Sequence, residues 1–428
     1  MVNVAKIYST LGNPNSLIPL AVKDISATAG MTAGSFITGK EEGQDRFIDE
    51  AGTEVIWLLG IPAFKKLFDL TVFKALGFDA KFDARNLKDT AVLEKIKQYS
   101  PNDKVKSEIE KISQKPNSFK NAAMAKFVVS TALTIGSYIG LTRFKQKYTE
   151  NKIRKNLIAE YNAKVEKEKE EENQIQKSTS NPSFKGLGSF VEGFVFNPVK
   201  NMWILDGSIT AERLKDSRSP QEFVGYAIKE AFTLSFMYIA GNQIQKLLEK
   251  KANEEYNKSI GLDARVLEDG FLKDLFKDGS IQKSIDEFNA ANKSNVDLYE
   301  FLHKNPDNAI VKASKISDII KLYEKTDKID TRAYINLEEV KGVNKKIEEL
   351  YKQYKDALKN GEGIDKFFKG VKKLKRTSIL TNILTCILAL GVVTPGVMLL
   401  KRFTAGDDEE FQTKKEIREQ LVKEGLIA

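Results

Sequence analysis

A chain of 428 residues with 68 lysines and arginines against 59 acids carries a net charge of +9, and its length alone suits two or three domains. The basic residues are mixed with acids along most of the chain instead of being gathered with aromatic stacking partners, so the surplus does not mark a nucleic-acid binder. One cysteine, Cys386, and one histidine, His303, exclude an intramolecular disulfide and leave a Cys/His metal site, a Ser-His-Asp triad and a Cys-His dyad short of residues.

Residues 1–45 form an N-terminal segment whose apolar stretch, Leu17–Val22, is shorter than the signal-peptide core of about 7–15 residues. Residues 46–149 read as the first copy of an internal duplication. It opens on Phe47–Phe64, apolar but interrupted by Asp49, Glu50 and Glu54, and passes through Asp83-Ala84-Arg85. It ends on 127–142, uncharged over 16 residues, which reaches the roughly 20 residues of a bilayer span if Lys126 and Arg143 snorkel, giving a span at about 126–143. Gly136 and Gly140 in that segment have the small-xxx-small spacing that permits close helix approach. Over 150–196 a charged helix with alternating Lys and Glu at 164–172 leads into a Gly/Ser/Pro-rich linker.

The same order returns over 197–404. Phe47, Ala51 and Glu54 reappear as Phe223, Ala227 and Glu230; Asp83-Ala84-Arg85 as Asp263-Ala264-Arg265; Leu133, Gly136 and Thr149 as Leu388, Gly391 and Thr404. Upstream, Gly34-Ser35 with Ile37-Thr38 answers Gly207-Ser208 with Ile209-Thr210. The offset grows from 180 at the Asp-Ala-Arg element to 255 at the last segment, which assigns 75 inserted residues to the second copy, at about 278–352. Helices are expected throughout the insertion. Leu337, Val340, Val343, Ile347, Leu350, Tyr354 and Leu358 make one apolar stripe that faces a protein partner or a second copy through 337–358; Ile310, Ile316, Ile319, Ile320 and Tyr323 make another. His303, before Pro306, reads as an exposed helix end.

Residues 377–400 hold 24 positions without a charge and read as a transmembrane helix, with Pro395 tolerated near its end. Just before it, Lys366, Lys369, Lys372, Lys373, Lys375 and Arg376 form a patch suited to anionic headgroups of a lipid bilayer, each worth roughly 1 kcal/mol near the surface. A charged tail, 405–428, follows. The fold class expected is therefore all-α: a helical membrane protein with an internal duplication and an inserted helical bundle.

Asp83 and Asp263 open helices and read as caps, with Arg85 and Arg265 beside them. An ionisable group at bilayer depth costs about 2.5–3.5 kcal/mol on insertion scales, so Glu54, Lys229 and Glu230 either form a buried polar site or lie at the interface on amphipathic helices. Phosphate loops, calcium loops and zinc-protease motifs are absent from the sequence, and no metal or cofactor is expected. The function these features point to is a non-enzymatic, multi-pass integral membrane protein, in the plasma membrane if the source is bacterial, serving as a structural or partner-recruiting scaffold. The alternative is a transporter or channel subunit with a polar site between the repeats. Basic flanks after 142 and before 377 favour two spans with 144–376 in the cytoplasm.

Overall fold

The structure, a computed structural model, describes residues 4–13, 16–165, 198–215, 217, 220–405 and 409–427. Most of the Lys/Glu alternation at 164–172 and the linker after it lie outside the described residues. Among those described the chain is all-helical, and its only β feature is an isolated bridge between Leu322 and Ile329. Two compact units share the chain: the first is Met1–Pro19, Lys65–Val128 and Gly241–Leu384, and the second is Leu20–Phe64, Val129–Ala240 and Thr385–Ala428.

The first unit is built on the Leu337–Lys359 helix, started by the Asn336 side chain accepting from Glu338 N. Its stripe of Val340, Val343, Ile347, Leu350 and Tyr354 is buried against the helices Ile281–Ala291, Asn295–Lys304 and Ala309–Ile316. Most of the stripe thus packs within this chain, as the inserted helical bundle expected from the sequence requires, because three short amphipathic helices supply the apolar surface, while Leu358 at its end is exposed. Helix is also interrupted in the insertion: Ala309–Ile316 stops at Ser317, and the chain runs to Asn336 in turns, with Asp318 and Glu324 at positive φ. The second expected stripe therefore splits, with Ile310 and Ile320 buried and Tyr323 in the turn region.

The Asp-Ala-Arg elements share one geometry. Asp83 Oδ1 accepts from Arg85 N at 2.9 Å, and the Arg85 guanidinium folds back onto the same carboxylate at 2.7 Å. Asp263 accepts from Arg265 N at 2.8 Å, with the guanidinium 3.1 Å from its other oxygen. A third copy, Asp330-Thr331-Arg332, repeats the pattern at 3.1 and 2.8 Å. The first and third dock together: Asp83 N donates to Arg332 O at 2.9 Å, and the Asn86 amide donates to Arg332 O at 3.1 Å. Segments 65–125 and 241–376 are consequently one folded body.

The basic patch before residue 377 is partly internal. Lys366, Lys369 and Lys373 are exposed, but Lys375 is buried and donates to Ile260 O at 2.8 Å. Lys372 and Arg376 pair with Glu268 at 3.5 and 2.7 Å. On a helix whose Phe367, Phe368 and Val371 are core residues, the side chains nearest that face are drawn in with it.

In the second unit the helices include Leu17–Thr38 and Lys40–Phe68 in their greater part, Pro198–Lys215, Pro220–Leu234 continued by the π-helical Ser235–Ala240, and the π-helical Ala389–Val393 continued by Thr394–Ala405. Two long helical stretches, Pro116–Asn162 and Ile364–Lys401, are apolar enough over part of their length to cross a membrane. Pro395 has no N–H for the Gly391 carbonyl four residues earlier, and the chain widens to a π-turn there. Gly30 packs on that turn so closely that a Cβ would sit 2.1 Å from Gly391 O. Gly136 and Gly140, the expected close-approach pair, have nothing within 4 Å of a built Cβ. The tail is no free appendage: Ile417, Leu421 and Ile427 are buried with Ile153 and Leu157.

His303 is not the exposed helix end expected. It stacks on Tyr99 at 4.6 Å with Tyr299 tilted at 4.9 Å, and its Nε2 is buried without a hydrogen bond. Burial, aided by the Lys315 charge, pushes its pKa down to about 4. Below the ordinary value of about 6.5 the unfolded chain then binds the proton that the folded one refuses, so stability is full above 6.5 and drains as pH falls to 4, by up to about 3 kcal/mol. Comparing thermal unfolding of the wild type and His303→Phe across that window checks it. The difference between them should narrow or invert toward acid pH, and parallel curves would contradict the buried neutral imidazole.

Candidate functional site

Unit two collects charge at its centre. Along the helix that opens at Lys40, Arg46, Asp49, Glu50 and Glu54 recur at steps of three and four, so they share one face, and all four are buried, Asp49 to 2% exposure. Phe47, Val55 and Leu59 on the same helix are exposed, Leu59 to 62%. Lys229 and Glu230 are likewise buried on the Pro220–Leu234 helix, whereas Phe223 and Val224 are exposed. Of the two placements left open for these charges, burial is the one observed, with oppositely charged partners on neighbouring helices available to neutralise them inside.

Those partners close a network. Lys229 Nζ lies 2.6 Å from Glu50 Oε1 and 3.5 Å from Glu230 Oε1. Arg213, from the Pro198–Lys215 helix, lies 2.5 Å from Glu230 and 3.6 Å from Asp49. Lys145 bridges Asp49 at 3.5 Å and Asp45 at 3.7 Å, and Arg46 reaches Glu50 at 3.5 Å. Four cations, Arg46, Lys145, Arg213 and Lys229, thus meet four carboxylates, Asp45, Asp49, Glu50 and Glu230. Hydroxyls fill in: Arg213 Nε donates to the Tyr138 hydroxyl at 2.6 Å, and Thr210 Oγ1 donates to Glu230 at 3.2 Å. Burying charge is compensated only when ions are paired and their remaining lone pairs and protons are bonded, and most of these are.

Glu54 stands apart from this balance. Expected to approach Glu230, it lies instead within hydrogen-bonding reach of the Asp24 carboxyl, and Asp206 is close enough to both to repel them. Among the described residues no ion pair reaches Asp24, Glu54 or Asp206; the Lys229 charge acts on Asp24 only from a distance. The neighbouring Lys23 ammonium is directed elsewhere, donating to Phe236 O at 3.2 Å and Met237 O at 3.5 Å in the π-helical turn. Tyr238, from the same turn, donates to Asp206 Oδ2.

Sequence reasoning found Glu54, Lys229 and Glu230 and missed Asp24, Asp206, Arg213 and Tyr138. A signal for two of these was present. Asp24-Ile25-Ser26-Ala27-Thr28-Ala29 and Asp206-Gly207-Ser208-Ile209-Thr210-Ala211 share the spacing Asp-x-Ser-x-Thr-Ala at an offset of 182, which the Gly-Ser alignment at 34 and 207 obscured. Arg213 and Tyr138 carry no local signature, since their meaning comes from partners 17 and 75 residues away. Asp83, Arg85, Asp263 and Arg265 belong to the other unit and its turns, not to this cluster.

No group of His, Cys, Asp and Glu among the described residues has the arrangement to hold a metal ion. Comparison of the chain with protein-family models, with curated proteins and with solved structures returns no match.

Removing one partner of a buried ion pair costs about 3–5 kcal/mol, because the other charge is left uncompensated. Arg213→Met takes the nearest cation from Glu230 and one of two from Asp49, so it should lower unfolding stability toward that order, while Arg213→Met with Glu230→Gln should recover part of the loss. Chemical or thermal unfolding of the two variants is the measurement, and a single variant as stable as the wild type would count against a closed network.

Proposed function

We propose that the chain is a non-enzymatic, multi-pass integral membrane protein whose second unit lies in the bilayer and handles a charged species at a polar centre between two duplicated halves. The supporting observation is a partly inverted polarity: on Lys40–Phe68 and Pro220–Leu234 the ionisable Arg46, Asp49, Glu50, Glu54, Lys229 and Glu230 are buried while Phe47, Val55, Leu59, Phe223 and Val224 are exposed, with Trp57, Ile61 and Tyr226 packed inside beside the charges. Water would penalise that arrangement, and lipid tails favour it. The two apolar helical stretches agree with it in length and composition.

Between the two functions open to such a protein, the geometry favours transport over scaffolding. Most of the stripe on which partner recruitment rested packs inside the chain, whereas Lys229 and Glu230, two of the ionisable residues expected between the halves, lie in one buried charge network, as sites of transporters built from repeats do. The recurring strings that include Asp24 and Asp206 support the duplication.

Segments that bond to one another outside the bilayer share a side. Residues 65–125 and 241–376 therefore share one, and a crossing by 126–143 has to be answered by a return before residue 241, for which 220–240 has the required polarity. By the same reasoning 150–160 and 417–427, which pack together, share the side opposite. The exposed lone-cysteine variants Ser107→Cys, Lys293→Cys and Lys155→Cys, each in a Cys386→Ala background, test this with an impermeant thiol reagent on sealed vesicles. The first two should label from one side and the third from the other. Opposite labelling of positions 107 and 293 would refute the topology, and release of the protein by alkaline carbonate would refute membrane insertion altogether.

A further inference from the structure

We propose that Asp24, Glu54, Asp206 and Tyr238 form a proton-binding site inside the second unit, with the exchangeable proton held between the Glu54 and Asp24 carboxyls. The proposal rests on the reading of the protein as a membrane transporter and names the species that reading leaves open. Two carboxyls within hydrogen-bonding reach attract each other only if one carries a proton, since an ionised carboxylate is acceptor-only. With Asp206 as a third acid close by and no cation in ion-pair contact, a fully ionised trio would stack three negative charges in a water-poor interior. One proton shared by Glu54 and Asp24 relieves this, and its release to water returns one negative charge to the site.

Two further observations point to an occupant. Trp57, one turn beyond Glu54 and 1% exposed, faces Asp206 and Tyr238, yet its indole Nε1 makes no hydrogen bond of sound geometry; Glu54 Oε1 is buried and equally unsatisfied. A donor and an acceptor left open at one place suit a small hydrogen-bonding species such as a water that carries the proton in and out. The π-helical Ser235–Ala240 turn, a feature common at functional sites, presents Tyr238 to Asp206 and its free carbonyls to Lys23.

The charged surroundings define what the proton would sense. From the Leu17–Thr38 helix come Lys23 and Asp24; from Lys40–Phe68, Glu50 and Glu54; from Pro198–Lys215, Asp206 with Arg213; from 220–240, Lys229, Glu230 and Tyr238. Cys386 faces Lys23 from the Ile364–Leu388 helix. Arg213, Lys229, Glu50 and Glu230 neutralise one another, so the unbalanced charge resides on the trio.

The test is infrared difference spectroscopy on the full chain in lipid nanodiscs, combined with proton flux into proteoliposomes under a pH gradient. A protonated-carboxyl stretch present at neutral pH, lost in Glu54→Gln and shifted or lost in Asp24→Asn, is the expected result. Circular dichroism of Glu54→Gln, an isosteric change, establishes folding; if it fails to fold, Asp206→Asn, which should shift the same band, takes its place. Absence of the band in the folded wild type, or its persistence unchanged in the folded variants, overturns the site. So does a band that responds to sodium at fixed pH and not to pH. If the band behaves as expected but wild-type and protein-free liposomes leak protons equally, the proton site stands and the transport reading falls.

Discussion

Everything in the second unit depends on neutralising charge away from water. A lone ion in an apolar interior is prohibitively unfavourable, and helices that carry four or more such groups on one face associate only if their neighbours present the complementary set. Glu50 fixes Lys229, Lys229 and Arg213 fix Glu230, and Arg213 and Lys145 fix Asp49. Apart from Lys229–Glu230, which lies within one helix, each link joins a different pair of helices. The rotation of these helices about their own axes is thereby constrained by charge as well as by buried apolar residues such as Trp57, Leu205 and Met237. The usual polarity of a helix bundle is partly inverted, with charge inside and large apolar residues such as Leu59 outside.

This inversion explains what could and could not be read from the sequence. Helicity was legible from the 3.6-residue periodicity except across 317–336, where the chain runs in turns, and so were the two uncharged runs at 127–142 and 377–400. Glu54, Lys229 and Glu230 were legible because charge inside an apolar run is conspicuous. Asp24 was marked only by the string it shares with Asp206, and Arg213 not at all, because it is partners elsewhere in the chain that give it significance. The 337–358 stripe was recognised as an interface, but periodicity does not say whether the complementary surface lies in the same chain. His303 and Lys375 show the same limit from the other direction: both were judged by their neighbours in sequence, and both are placed by Tyr99 and Ile260, more than a hundred residues away.

The first unit uses a different device. Three Asp-x-Arg turns, at 83, 263 and 330, each close a carboxylate on the backbone N–H and the guanidinium two residues ahead. Each turn satisfies most of its own polar groups locally, so it can stand at the edge of a core without leaving donors open. Two of the three are then free to use their outward carbonyls and amides on each other, which is how Asp83 N and Arg332 O come to bond. Only the first and second were visible as a repeat, because Thr331 replaces the alanine and the flanking residues differ.

That bond joins residues almost 250 positions apart, and the first unit is assembled from three separate stretches of chain. During synthesis, residues 65–128 therefore emerge long before the segment that completes their core, and closing so long a loop is slow relative to local helix formation. The early stretch must wait with Phe73, Phe82 and Phe119 clustered but with Asn86 and Tyr99 unpartnered, a condition that invites aggregation or chaperone binding until the ribosome has passed residue 332. Chains terminated before that point would lose the early half of the unit as well as the late one, so nonsense truncations across the middle of the sequence should share one biosynthetic fate.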